Sequence, residues 1–253
     1  MNNSHLLGIP VESETIDTIL EKIKKNIETP QEFFHIVSLN PEILVAIQSD
    51  PEFKRVIAEG QIKIPDGIGV VVAARLLHAP LGMRITGVDL MEKLVGWATR
   101  YRVRVMLIGG KPNLAEKIAD CYRRAHPKLE IMGINGVSNI RNVDKDEEEE
   151  IFSIVRAFMP QIVFVSYGSP AQEKWIYRNR AQFKGLVCMG VGGAFDFIGG
   201  GVPRAPRWVR SAGFEWLYRL IREPWRWRRQ LKLFEFIGLV GREALSAVSS
   251  SRT

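Results

Sequence analysis

A chain of 253 residues, 46% hydrophobic and 25% charged, is long enough to bury one substantial core and lies far from the composition of a disordered protein. Its two cysteines and four histidines exclude a disulfide framework and a zinc knuckle and suit a reducing cytoplasm. The formal charge of +7 is concentrated, because residues 204–229 hold eight arginines against two glutamates; the remainder sits near neutrality, and one end of the molecule faces an anionic partner.

The amino terminus, MNNSHLLGIP, has neither the basic lead nor the apolar run of a signal peptide, so none is expected. Leu6 to Val11 reads as a short strand, followed by a helix with Ile16, Ile19, Leu20, Ile23 and Ile27 on one face. Phe33 to Ser38 reads as a buried strand. Asn40-Pro41 stops it, and Pro41 opens a helix, which leaves Ser38 and Asn40 at a strand's carboxyl end. Gln61 to Pro65 is a further strand, after which Asp66-Gly67 turns into an apolar helix reaching about Leu77. Arg84 falls in the polar loop before a helix from Asp89 to Arg100.

Val103 to Ile108 is the clearest central strand, and Gly109-Gly110-Lys111-Pro112 leads from it into a helix ending near Ala125. Strand, glycine turn and helix amino terminus is how α/β proteins meet phosphate. The alternation continues with a strand at 129–133, a helix at 144–159, a strand at 162–166, a helix at 170–180 and a strand at 186–189. It predicts an α/β fold: a Rossmann-like open, mostly parallel sheet with helices on both faces. No window reaches the ~18 uninterrupted apolar residues of a spanning helix.

After Pro206 the character changes. Phe214, Leu217, Tyr218 and Ile221 share a helical face, Pro224 breaks the run, and 225–240 forms a second amphipathic helix. Four of the six tryptophans, at 208, 216, 225 and 227, fall here. Arginine and tryptophan on apolar helices are the composition of a membrane-interface element. The expected division is an α/β domain at 1–203 and a basic helical appendage at 204–253.

The densest chemistry lies between Gly168 and Trp208, in GSPAQEKW, GVGGAFDFIGG and RAPRW, where glycines at 192, 193 and 199–201 point to close approach of backbone to a ligand. Gln172 and Glu173 fall on a helix's first turn, facing the ligand crevice. Asp66, at a strand end before an apolar helix, suits a helix cap or a catalytic carboxylate equally. Asp144-Lys145-Asp146 has the spacing of a metal-diphosphate site, but Glu147 to Glu150 follow directly, so a solvated helix start fits better. Gly190 to Phe195 begins like a dinucleotide fingerprint that Phe195 breaks, which disfavours a nicotinamide enzyme. His5, His35, His78 and His126 show no ligand pairing, and no metal site is expected.

Taken together, SLNPE at 38–42, PDGIG at 65–69, RITGVDL at 84–90, GSPAQEKW at 168–175, GVGGAFDFIGG at 190–200, RAPRW at 204–208 and EWLYRLIREPWR at 215–226 resemble the WecG/TagA/CpsF glycosyltransferases, glycosyltransferase family 26. The motifs arrive in family order along nearly the whole chain. The resemblance implies an inverting, metal-independent enzyme at the cytoplasmic face of a bacterial inner membrane. It would move a sugar of the N-acetylmannosamine type, its uronic acid or glucose from a UDP-sugar to a polyprenyl-diphosphate-linked acceptor, for teichoic acid, common antigen or exopolysaccharide.

By the same resemblance Asp66 matches the family's proposed general base, Asn40 a polar residue beside it, and Ser38 a position where some members carry threonine. Arg84 and Gln172 match residues that hold donor or acceptor, and Asp196 one near the nucleotide. Gly109, Gly110, Gly168, Gly192 and Gly193 complete the expected binding loops. With no cofactor, charge on the departing UDP falls to Arg84, to the N–H groups of Gly109 and Gly110, and to appendage arginines among Arg207, Arg210, Arg219 and Arg222. The appendage would dock on an anionic membrane surface, although its apolar face suits a homo-oligomer interface equally. The competing class is a nucleic-acid-binding α/β protein using the basic tail as a clamp.

Overall fold

Alternate residues of the predicted central strand point to opposite apolar layers. The structure, a computed structural model, describes residues 4–30, 32–224 and 227–250. In chain order the amino-terminal half runs β1 (His5–Leu6), β2 (Ile9–Pro10), α1 (Ile16–Glu28), β3 (Phe34–Leu39), α2 (Pro41–Ser49), α3 (Pro51–Glu59), β4 (Ile62–Pro65), α4 (Ile68–Leu76), α5 (Gly87–Tyr101) and β5 (Val105–Gly109). There follow α6 (Leu114–Ala125), β6 (Ile131–Ile134), α7 (Lys145–Phe158), β7 (Ile162–Ser166), α8 (Ala171–Arg178), β8 (Val187–Gly190), α9 (Ala194–Ile198), α10 (Arg207–Ser211), α11 (Glu215–Arg222) and α12 (Trp227–Ser250).

Six strands form one parallel sheet in the order β4-β3-β8-β7-β5-β6. Val105 and Leu107 of β5 join one core with Ile19 of α1, Leu90 and Leu94 of α5 and Ile118 of α6. Met106 and Ile108 enter the opposite layer with Phe152 of α7 and Trp175 of α8. That two-residue alternation between two buried faces is what a parallel sheet between helices requires. Helix α6 lies so close to β6 that a Cβ on Gly133 would come within 2.1 Å of the Ala115 carbonyl oxygen.

Several elements differ from the reading of the sequence. Leu6 to Val11 is a two-strand antiparallel hairpin rather than one strand, turned by Leu7 and Gly8, both at positive φ. A second proline start, Pro51, capped by Asp50 through the Phe53 N–H, splits the region after β3 into α2 and α3. The glycine-rich stretch after β8 holds the short helix α9, which strand-end glycines had hidden.

The carboxyl-terminal helices fold back over the sheet's carboxyl end. Phe236 and Val240 of α12 are buried in a third apolar cluster with Ile43, Leu44 and Ile47 of α2, while Leu231, Phe234, Ile237 and Leu245 of the same helix are exposed. Helix α12 is therefore apolar on two sides. Trp225 and Arg226, which the sequence placed in this region, lie outside the described residues.

Candidate active site

A cavity of about 570 Å3 opens at the carboxyl ends of β4, β3, β8 and β7, under α11 and α12. This is the end at which open α/β sheets bind ligands. Another depression, about 600 Å3, lies at the amino ends of β3 and β8 around His35 and Lys184; it contains none of the motif residues.

Asp66 follows β4 directly. Its backbone N–H donates to the Leu39 carbonyl at 2.8 Å, tying it to β3. Helix α4 begins after Gly67 without a side-chain cap, so Asp66 is not that helix's cap. Its carboxylate accepts the Gly87 N–H instead. Gly87 packs against Ser38 as well: a Cβ there would lie 3.4 Å from Ser38 Oγ and 3.7 Å from Asp66 Oδ2. Burial pushes the Asp66 pKa up to about 6, against the Gly87 hydrogen bond and the Arg84 charge, with Glu215 and Asp89 adding to the rise. A carboxylate so poised is half-ionised near pH 6 and mostly ionised at neutrality, a state suited to proton abstraction.

Asn40 caps α2 by accepting the Ile43 N–H at 2.9 Å through Oδ1, which leaves its Nδ2 to the cavity it lines. Arg84 donates through Nη1 to the Arg210 carbonyl at 2.6 Å and meets Glu215 at 3.4 Å through Nη2. Glu215 also takes Arg204 at 3.4 Å, and Arg204 donates to Asp89 at 2.6 Å. The loop carrying Arg84 is thus joined to the appendage by a network of charge-assisted hydrogen bonds. On the other side Arg219 lies over the Phe197 ring, 4.6 Å from its centroid, and donates to Glu223 at 2.7 Å. A Cβ on Gly193 would come within 2.9 Å of its guanidinium.

Gln172 is buried and tied to three neighbours. Its Oε1 accepts the N–H of Gly168 at 3.1 Å and of Gly192 at 3.0 Å, and its Nε2 donates to Glu173 at 2.7 Å. One side chain therefore fastens the loop after β7 to the loop after β8. Gly190 must lack a side chain, because a Cβ would meet Gln172 Nε2 at 2.7 Å.

The structure gathers Ser38, Asn40, Asp66, Arg84, Gly168, Gln172, Gly192 and Gly193 around the cavity. Gly109, Gly110 and Asp196 are not in its lining. They sit beside it at the end of β5, where Asp196 pairs with Lys111 at 3.0 Å. The expectation that Gly110 offers a free N–H is corrected, since that group donates to the Ser166 carbonyl at 2.8 Å. Of the appendage arginines, Arg219 lines the cavity, Arg210 approaches Asp89 at 3.6 Å, and Arg207 and Arg222 are exposed. Glu215 was not expected at the site, although an acid kept inside an arginine-rich run was a signal for it.

Asp144 caps α7 through the Asp146 and Glu147 N–H groups, as the helix-start reading expected. Among the described residues no three His, Cys, Asp or Glu side chains gather into a metal site.

The sequence profile of the Glycosyl transferase WecG/TagA/CpsF family matches residues 4–250. The chain is 33% identical over 233 residues, 92% of its length and 89% of the relative's, to an N-acetylglucosaminyldiphosphoundecaprenol N-acetyl-beta-D-mannosaminyltransferase of Bacillus subtilis (strain 168). Proteins of the same name from Bacillus spizizenii and Staphylococcus aureus (strain MW2) are 35% identical over 205 residues and 30% over 227, covering 81% and 88% of this chain and 77% and 85% of theirs.

Proposed function

The chain belongs to the WecG/TagA/CpsF family of glycosyltransferases, and from that premise we propose that it transfers an N-acetylmannosamine-type sugar from a UDP-sugar to an undecaprenyl-diphosphate-linked N-acetylglucosamine, with inversion and without a metal. The relatives' names supply the sugar and acceptor classes. The observation that carries the chemistry is Asp66, a carboxylate raised to about 6 at the floor of a cavity roofed by arginines.

In this reading Asp66 takes the proton of the acceptor hydroxyl while that oxygen attacks the anomeric carbon and the bond to the UDP oxygen breaks. A single displacement inverts the centre. The departing diphosphate gains negative charge, and among the described residues Arg84 and Arg219 are the cavity-lining cations placed to meet it. Arg84 reaches it by exchanging Glu215 for phosphate.

The clamp alternative loses ground, because Arg204, Arg210 and Arg219 turn inward to Asp89, Glu215 and Glu223 rather than forming a free basic face. Residues 204–253 are instead assigned to membrane docking by an amphipathic appendage on a catalytic unit at 1–203. Helix α12 uses one apolar side on α2 and leaves Phe234 and Ile237 exposed on the other, the arrangement of an interfacial helix. Among the described residues no helix is long and apolar enough to cross a membrane, so attachment is peripheral, at the leaflet that presents the lipid-diphosphate acceptor. The outer apolar face is assigned to lipid rather than to a second copy of the chain.

The test is a product analysis. The purified protein, UDP-N-acetylmannosamine and a short-chain lipid-diphosphate N-acetylglucosamine should give a disaccharide-lipid whose anomeric proton reports inversion by NMR. Retention, or transfer from none of a panel of UDP-sugars, would overturn the reading.

A further inference from the structure

Glu173 stands in the wall of the active-site cavity, and the transfer step leaves it without a task. It lies in the first turn of α8, is 2% exposed and lines the cavity beside Gln172. Its Oε1 accepts Gln172 Nε2 at 2.7 Å. Its Oε2 is buried and, among the described residues, accepts no hydrogen bond of normal geometry. Holding Gln172 in register needs only the first oxygen; the second is a costly orphan unless something else meets it. Burial pushes the carboxyl's pKa up, opposed by the Gln172 hydrogen bond and less by its own N–H and the Ser169 side chain, and a further donor aimed at Oε2 would relieve it more.

Position indicates what the missing group is. Asp66 follows β4, and Glu173 follows β7, three strands along in the order β4-β3-β8-β7. At ~4.8 Å per strand the two strand ends stand about 14 Å apart. The side-chain-free backbone of Gly190, Gly192 and Gly193 lies between them. With the acceptor hydroxyl at Asp66, as the transfer reading requires, the glycine-walled part of the cavity between Asp66 and Glu173 is open to the donor pyranose, whose anomeric carbon must touch that hydroxyl.

Resting on the glycosyl-transfer reading above, we propose that Glu173 is a specificity-determining residue whose Oε2 accepts a hydrogen bond from the transferred sugar, either from a ring hydroxyl or from the acetamido N–H. Pairing a buried polar atom with one group of the substrate makes the site reject sugars lacking that group.

The Glu173→Gln variant separates this role from a structural one. A glutamine still offers Gln172 a carbonyl oxygen, but it presents N–H donors where Oε2 accepted. The expected result is an unchanged melting temperature, a UDP inhibition constant within twofold of wild type, and a loss of 100-fold or more in kcat/KM for the N-acetylated donor. With donors deoxygenated at single ring positions, or carrying a hydroxyl in place of the acetamide, one donor should erase the difference between variant and wild type, and that donor names the contacted group. A kcat/KM within threefold of wild type, or equal losses with every donor, would overturn the proposal. The wild-type enzyme gives an independent reading: at least one altered donor must lose 100-fold or more, and tolerance of all of them within threefold also overturns it. If the wild type turns over no UDP-sugar at all, the glycosyl-transfer reading falls first and takes this inference with it.

Discussion

Arg84 and Glu215, 131 residues apart in the chain, meet at 3.4 Å at the edge of the cavity. Both side chains are largely shielded, and the same guanidinium also donates to the Arg210 carbonyl. The residue proposed to meet the departing diphosphate is thereby one of those that fasten the appendage, with Arg204 and Arg210. The Arg84 guanidinium therefore ties the loop before α5 to the appendage at the cavity edge.

Replacing Arg84 should therefore act in two places. Arg84→Ala is expected to lower kcat/KM by about 100-fold or more and to speed limited proteolysis after residue 204, since the Arg210 carbonyl loses its donor. Arg84→Lys should restore little of either, because one ammonium cannot serve the carbonyl and the carboxylate with the fork of a guanidinium. Steady-state kinetics and a trypsin time course read the two effects separately.

Asp66 gives the pH dependence. As the base it must be ionised, so kcat/KM should fall below pH 6 with an apparent pKa of about 6 and be flat above it. Stability runs the other way. A carboxyl whose pKa is higher folded than unfolded contributes fully below about pH 4, and the contribution is lost as pH rises through about 6. Asp66→Asn should thus abolish turnover yet raise the melting temperature, with a gain that grows from pH 5 to pH 8 to ~1–3 kcal/mol. Thermal scans of both proteins at those two pH values check the sign.

Gln172 should prove structural as well as catalytic in its effects. Gln172→Leu removes the acceptor of two backbone N–H groups, at Gly168 and Gly192, and the donor to Glu173. A stability loss of about 2–4 kcal/mol is expected in urea unfolding, together with faster amide exchange at both loops.

The outer face of α12 should govern membrane contact alone. A double change of Phe234 and Ile237 to Glu, at positions 72% and 58% exposed, is expected to cut flotation with anionic vesicles at least tenfold. The melting temperature should stay put, as should turnover of a water-soluble acceptor. Wild-type flotation should weaken with salt. Assembly of the wild type into oligomers that the double change dissociates, with flotation intact, would instead assign this face to a second copy.

The strand-helix alternation was legible because each central strand is a short apolar run bounded by glycine or proline, and burial on both faces left no competing period. Asp66, Ser38 and Asn40 were legible as cavity residues through short motifs at strand ends, and Arg84 through the family motif in the loop before α5. The hairpin at Leu6 to Pro10 was not, since its reversal depends on positive φ at Leu7, a residue that carries no turn signal. Nor was the exclusion of Gly109 and Gly110 from the cavity, which depends on strand order, since β8 and β7 separate β5 from β3; Asp196, on α9 after β8, turns away to Lys111 instead. Glu215 was hidden for a similar reason, because its partners Arg84 and Arg204 come together only when the appendage folds back.

The most direct test of metal-free transfer by Asp66 is UDP release in EDTA, with a short-chain lipid-diphosphate N-acetylglucosamine, comparing wild type with Asp66→Asn. Acceptor-dependent release that survives EDTA in the wild type and falls by at least 100-fold in the variant, with UDP affinity unchanged, is the predicted result. Release that stops in EDTA and returns with a divalent ion, or an Asp66→Asn variant as active as wild type, would contradict it.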